Sequence, residues 1–289
     1  MSNTIELAKS FVPKLDECYR LASLTSVLDG APELAKQGAN ANELIIPMMS
    51  MDGLADYSRN GGYVQGGVTM TNETVKCNFD RGRRFDVDVM DDLETAGLAF
   101  GRLSAQFIRD KVVPELDAFR FASYCGISGV TKKEETLADG AATVAALSAA
   151  VTAMDDEEGT ATGRYLFITP TLLQGINDMD TTKSKKVLEG FEQVIKVPQR
   201  RFYTAIKQLS GKTGEEAGGY TKAAGAANIN FAIVQKDALI QYTKHAAPKI
   251  IAPENNPDAD AYVFGYRMVG IAKAYKNMLS GMYFSHDKA

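Results

Sequence analysis

Gly211-Lys212-Thr213 carries the last three residues of a phosphate-binding loop, in which backbone amides and a lysine cradle the phosphates. The glycine that must stand five positions earlier is Ile206, so the cradle is not encoded. Ser128, between Gly126 and Gly129, is one residue out of register with the nucleophile elbow G-x-S-x-G. Asp86, Asp88, Asp91, Asp92 and Glu94 form an oxygen-rich run suited to a hard cation. A calcium loop would need an oxygen ligand at Met90 and glycine at Asp91, and has neither. Strand polarity and helix capping account for these acids more simply. His245 and His286 stand far apart, with no cysteine or serine partner near either in sequence. No catalytic residue, cofactor or metal ligand is assigned on these grounds. An enzyme working through the Asp86–Glu94 carboxylates is the remaining chemical alternative.

The 289 residues suffice for one large or two ordinary domains with a buried core. A 45% hydrophobic and 24% charged composition is that of a globular chain. A net charge of −4 gives no overall basic footprint for sequence-specific nucleic-acid recognition. Between Lys183 and Lys212, however, eight lysines and arginines face only Glu189 and Glu192, which suits a solvated helical face or weak contact with a polyanion. Cys18, Cys77 and Cys125 lie far apart without a C-x-x-C pair, pointing to a reducing compartment rather than a disulfide framework or zinc site. The polar start, Ser2 to Glu6, and the short, alanine-rich apolar run Ala141–Met154 predict neither export nor a membrane span.

The elements that would position these residues are legible from periodicity. Ile5, Ala8, Phe11, Leu15, Cys18 and Ala22 predict an amphipathic helix broken near Pro13. A strand at Leu44–Met49 leads into a stretch with Gly53, Gly61-Gly62 and Gly66-Gly67, read as a projecting loop or hairpin. Val75, Cys77 and Phe79, then Phe85, Val87 and Val89, predict two strands joined by a turn at Arg81-Gly82-Arg83. Asp91 and Glu94 form a capping box before Leu93, Ala96, Phe100, Leu103 and Phe107. A helix continuing to Cys125 would be roughly 50 Å long and bent at Pro114. Gly126 and Gly129 would end it. Further predictions are a helix over Asp139–Asp155, a strand at Tyr165–Ile168, and a helix opened by Thr169-Pro170. A strand at Asn230–Val234, a glycine-rich surface loop at Gly211–Gly225 and an antiparallel hairpin over Ala261–Phe284 turning near Asn277 complete the reading.

Arg83-Arg84-Phe85-Asp86-Val87-Asp88-Val89-Met90-Asp91-Asp92, then Glu94-Thr95, then Arg109 through Pro114-Glu115-Leu116-Asp117-Ala118-Phe119-Arg120, resembles the strand and spine helix of tailed-bacteriophage major capsid proteins of the Hong Kong 97 type. The resemblance continues in Asn230-Phe231-Ala232-Ile233-Val234, Lys244, Pro253, Asp258-Ala259-Asp260-Ala261, Tyr266-Arg267, Asn277 and Gly281-Met282-Tyr283. Leu44-Ile45-Ile46-Pro47 and Leu54-Ala55-Asp56-Tyr57-Ser58-Arg59 extend it over nearly the whole chain.

The resemblance implies an α+β fold with an N-terminal arm (1–40), an extended loop (41–75), a peripheral domain with the spine helix (76–125 and 255–289) and an axial domain (126–254). It also implies a non-enzymatic coat subunit that assembles with itself, in pentamers and hexamers, into an icosahedral shell. Tyr57, Arg59, Tyr63, Arg81, Arg83 and Arg84 are the candidate contacts between subunits. Scaffolding, portal and possible decoration proteins, and weakly held double-stranded DNA, are the implied partners; the virion, built in the bacterial cytoplasm, is the implied location. No long acidic extension of the kind some relatives carry is present, which implies a separate scaffold or a short mature coat. An encapsulin-like compartment shell is the alternative within the same fold.

Overall fold

The computed structural model describes residues 23–30, 36–37, 43–90, 98–157, 159–179 and 182–288. The helix broken near Pro13 and the Asp91–Glu94 capping box lie outside these residues.

The centre of the larger body is a five-stranded sheet in the order β5 (Thr131–Glu134), β13 (Met282–His286), β10 (Ile229–Gln235), β6 (Arg164–Ile168), β7 (Gln193–Lys196). The inner strands β6 and β10 are buried along their whole length, so their apolar runs are continuous while their side chains alternate between two faces. Leu166, Ile168, Phe231 and Ile233 meet the helices Gly140–Asp156 and Pro170–Asp178 on one side. Phe167, Ala232, Val234 and Phe284 meet Phe121 and Tyr124 of the spine helix on the other. Asp139 caps the alanine-rich helix by accepting a 2.7 Å bond from the Ala142 amide.

A second, three-stranded sheet runs β11 (Leu239–Ile251), β12 (Ala261–Ala274), β4 (Phe79–Asp88). Phe264, Tyr266 and Met268 pack there on Ile108, Val113 and Leu116. The spine helix thus serves both sheets. It runs as α-helix Leu98–Phe107, a π turn Ile108–Val112 and α-helix Val113–Cys125. From Leu98 to Cys125 it spans roughly 42 Å at 1.5 Å per residue. Where proline predicts a bend, the helix inserts one π turn just before Pro114, widening the ladder where an amide donor is missing.

Two sequence expectations are corrected. No turn occurs at Arg81-Gly82-Arg83: β4 runs straight through, and the chain breaks instead at Cys77-Asn78. Gly82 is there because β12 comes close; a Cβ on it would lie 2.8 Å from the Tyr266 carbonyl oxygen. Ala261–Phe284 is not one hairpin, since β12 and β13 belong to different sheets. The long hairpin is β11 with β12, and β11 escaped notice because its exposed half alternates weakly and carries Pro248. Sheet membership joins 239–251 to the strands at 79–88 and 261–274, and 282–286 to the five-stranded sheet.

Candidate assembly surface

Strands β2 (Glu43–Met51) and β3 (Val68–Lys76) form a nine-pair antiparallel hairpin, from Glu43 opposite Lys76 to Met51 opposite Val68. Its end is apolar and bare. Met49 faces Met70 across the ladder, and both are about 60% exposed, at 59% and 64%. Beyond them Leu54 and Tyr63 are at least 90% exposed. Of the ten large hydrophobic residues exposed among the described residues, all but Met90 and Met278 lie between Met49 and Met70. Scattered exposed apolar residues are ordinary, but a contiguous patch of this kind marks a surface meant to be covered.

The tip is nevertheless ordered by its own bonds. The Gly67 amide donates to the Asp52 carboxylate at 2.7 Å, and the Asp52 amide donates to the Gly67 carbonyl at 3.1 Å, closing the loop at its base. Ser58 and Gly62 exchange backbone bonds in a tight turn, Gly62 taking a φ of +74°. Tyr57 and Tyr63 pack against each other across that turn, ring centres 4.9 Å apart. The structure thus brings Tyr57, Arg59 and Tyr63 together on one exposed turn.

The three other candidate contacts lie elsewhere, on β4, and differ among themselves. Arg81 donates from Nε to Glu115 at 2.8 Å and from a terminal nitrogen to the carbonyls of Leu209 and Gly219. It therefore ties the mouth of the loop between β8 (Ile206–Gln208) and β9 (Tyr220–Lys222) to the spine helix. Burial outweighs the neighbouring guanidinium and holds the Glu115 carboxyl above its ordinary range. Arg83 donates to the Glu216 carbonyl of the same loop. Arg84 pairs with Asp86 at 2.8 Å in the open. Arg81 and Arg83 thus bind a loop of their own subunit, while Arg83 and Arg84 are both exposed. A groove of about 1200 Å³ lies between β4, the π turn and this loop.

Residues with chemical resemblances occupy structural places. Lys212 sits in the β8–β9 loop, which runs on through turns to strand β9 rather than to the helix a phosphate cradle needs. Asp88 accepts from the Met90 amide, and Asp80 takes a two-pronged grip from Arg267 across the β4–β12 pair. His245 stands at a bulge in β11. The cations of Lys183–Lys212 spread over a helix, two strands and a 3₁₀ turn, so they form no single helical face.

The sequence reading missed a densely bonded buried polar group. Asp117, fully buried on the spine helix, accepts from Ser23 Oγ, the amides of Leu24 and Thr25, Thr25 Oγ1 and Arg201. One turn on, Arg120 donates to Thr25 and Asp29. Gln241 donates to the Thr25 carbonyl and to Asp29, and accepts from Tyr124. Burial raises the Tyr124 phenol well above its ordinary value. A signal existed: Asp117, Phe121 and Tyr124 stand at i, i+4 and i+7, so the acid lies on the buried stripe.

No protein-family model matches the sequence, and no curated protein is similar to it at significance. Solved structures do match. The Gordonia phage Cozz structure aligns at a TM-score of 0.60 with 11% identity, over 92% of this chain and 87% of that one. The capsid of Myoviridae phage XM1 aligns at 0.56 with 10% identity, over 92% of each chain. The virus-like particle from Pyrococcus furiosus aligns at 0.58 with 10% identity, over 96% and 98%. At such identities it is the fold that is shared, and the chain has the α+β fold of Hong Kong 97-type capsid proteins.

Proposed function

We propose that this chain is the major capsid protein of a tailed double-stranded DNA bacteriophage or prophage, a structural and not a catalytic subunit. One observation carries the reading: the apolar end of the β2–β3 hairpin, ordered internally yet uncovered, on a fold shared with phage capsids. Lapping that hairpin over a second copy buries what one subunit leaves bare, and repeated heterologous contact closes a surface when the rotation permits. Tyr57, Arg59 and Tyr63 are the contacts on the hairpin side, with Arg84 on the body. The arm, extended loop, peripheral and axial regions are proposed by likeness to that architecture. Scaffold and portal proteins, packaged DNA and assembly in the host cytoplasm follow from the same reading.

An encapsulin-like compartment shell is the second reading, favoured by the near-complete alignment with the Pyrococcus furiosus particle. Electron microscopy of the expressed chain, alone and with a scaffold, should show shells, rings or capsomers. A monomer at every concentration, with scaffold supplied, would sink both readings. Nuclease-resistant DNA inside particles made beside the neighbouring genes supports the phage reading; a co-purifying cargo enzyme supports the compartment.

A further inference from the structure

The turn that closes the hairpin contains Asn60-Gly61, the one Asn-Gly pair in the sequence. Of the five turn residues Ser58 to Gly61 are exposed and Gly62 partly so. Asparagine before glycine carries a built-in electrophile and nucleophile, the side-chain amide carbon and the next backbone nitrogen. Glycine, lacking Cβ, leaves that nitrogen open to approach. A strand would hold the two apart, because ladder bonds fix the peptide. Asn72 is such a case, exposed but inside β3, opposite Pro47 and followed by Glu73. At Asn60 no ladder exists: the Gly61 amide makes a single 3.2 Å bond, to Ser58 Oγ.

We propose that Asn60 is a self-modification site, at which the hairpin tip converts its own amide to an acid. The Gly61 nitrogen gives up its proton and attacks Asn60 Cγ. A nitrogen–Cγ bond forms, the Cγ–Nδ2 bond breaks, and ammonia leaves with the proton, closing a succinimide ring. Water then opens the ring. Cleavage at Cγ yields aspartate with the main chain restored; cleavage at the backbone carbonyl yields isoaspartate, with the chain rerouted through Cβ. The net change is amide plus water to acid plus ammonia, and no oxidant or reductant is involved. The Ser58 hydroxyl, by holding the Gly61 N–H, acts as a brake.

The product places a carboxylate on the turn that Tyr57 and Tyr63 flank in sequence, and the isoaspartate form lengthens a turn closed by the Ser58–Gly62 bonds. If the tip is a subunit contact, a consequence that rests on the function proposed above, subunits that age before assembly lose their contact while those in a shell are protected. The chemistry itself does not depend on that reading.

The test is peptide mapping by mass spectrometry after incubating the intact chain in mildly alkaline buffer made with oxygen-18 water. New acid carrying the heavy oxygen should accumulate at Asn60 well ahead of Asn72. Gly61→Ala should slow it roughly tenfold by crowding the nitrogen with a Cβ; that Cβ would meet only Ser58 atoms at 3.5 Å, so the turn survives the change. Ser58→Ala should speed it. An Asn60 amide that persists, or converts no faster than Asn72, or at the same rate in Gly61→Ala, overturns the proposal. Particle counts by electron microscopy on the same samples judge the shell reading separately: failure to assemble leaves the mass result standing, and the reverse.

Discussion

The molecule inverts the usual placement of polar and apolar groups in two regions. Around Asp117 it gathers an acid, a buried arginine and a partly buried one, a glutamine and several hydroxyls inside the fold. At the end of the β2–β3 hairpin it leaves methionine, leucine, valine and tyrosine in water. The first region is nearly closed: Asp117 accepts four bonds from residues 23–25 and one from Arg201, whose buried Nε alone is left without a partner among the described residues. The second is open, with local bonds but no apolar cover. A group of the first kind fixes how the segments 23–30, 113–125, 199–201 and 241–243 meet. One of the second kind leaves its energy for another molecule to complete. Stability of the subunit and assembly of the shell should therefore separate by site.

Asp117→Ala is the severest test of that separation. It takes the anion from Arg201 and the acceptor from four donors of residues 23–25, so the isolated subunit should lose about 3–5 kcal/mol. Chemical denaturation of the unassembled chain measures it. A loss below about 1 kcal/mol, the scale of a surface site, would show that the polar interior is loosely hydrated and not a closed knot.

Gly82→Ala follows, within the β4–β12 pairing. The added Cβ meets backbone, the Tyr266 oxygen at 2.8 Å, which cannot rotate away. A loss of about 1–3 kcal/mol is expected. Thermal melting with wild-type stability would mean that β4 has slack at this point.

How much of this was legible before the structure depends on how far apart in sequence the interacting groups are. The strands at 165–168 and 230–234, the capped helix after Asp139 and the hairpin rising at Leu44 all announce themselves through local periodicity and turn chemistry. Pro114 announced a disturbance but not its form, since a π turn and a kink answer the same missing donor. Gly82 misled, because a glycine beside two arginines reads as a turn when its real cause is a strand 184 residues later, at Tyr266. The split of 261–284 between two sheets has no local signature either. Tyr57, Arg59, Tyr63, Arg81, Arg83 and Arg84 came as one set with the resemblance; only the folded β8–β9 loop reveals that Arg81 and Arg83 have partners within the subunit.

On the open side, Leu54→Asp combined with Tyr63→Asp should leave subunit stability within about 0.5 kcal/mol, as neither side chain packs on the core. Shells should vanish all the same. Melting curves and electron microscopy of one preparation read both, and a large fall in melting temperature would show that the hairpin tip belongs to the subunit's own fold.

The smallest effect sharpens the comparison at a point between the two extremes, the exposed β8–β9 loop gripped by Arg81. Glu215 there accepts from Lys207 at 2.6 Å and from the Ser210 amide at 2.7 Å, which lowers its pKa from 4.5 to about 2, the Lys207 bond contributing most. For a carboxylate depressed in the folded state, the stabilising contribution is present above the unfolded value and is lost as pH falls toward the folded one. The loop should therefore hold at neutral pH and loosen between pH 4.5 and about 2. Because the group is exposed and screened, the effect should remain local: faster hydrogen exchange at the Ser210 amide with little change in global melting. Glu215→Gln, which cannot ionise, should show the faster exchange already at neutral pH and lose the acid-dependent step. An acid step that survives in the variant would assign the titration to another group and leave Arg81, not Glu215, as what holds the loop.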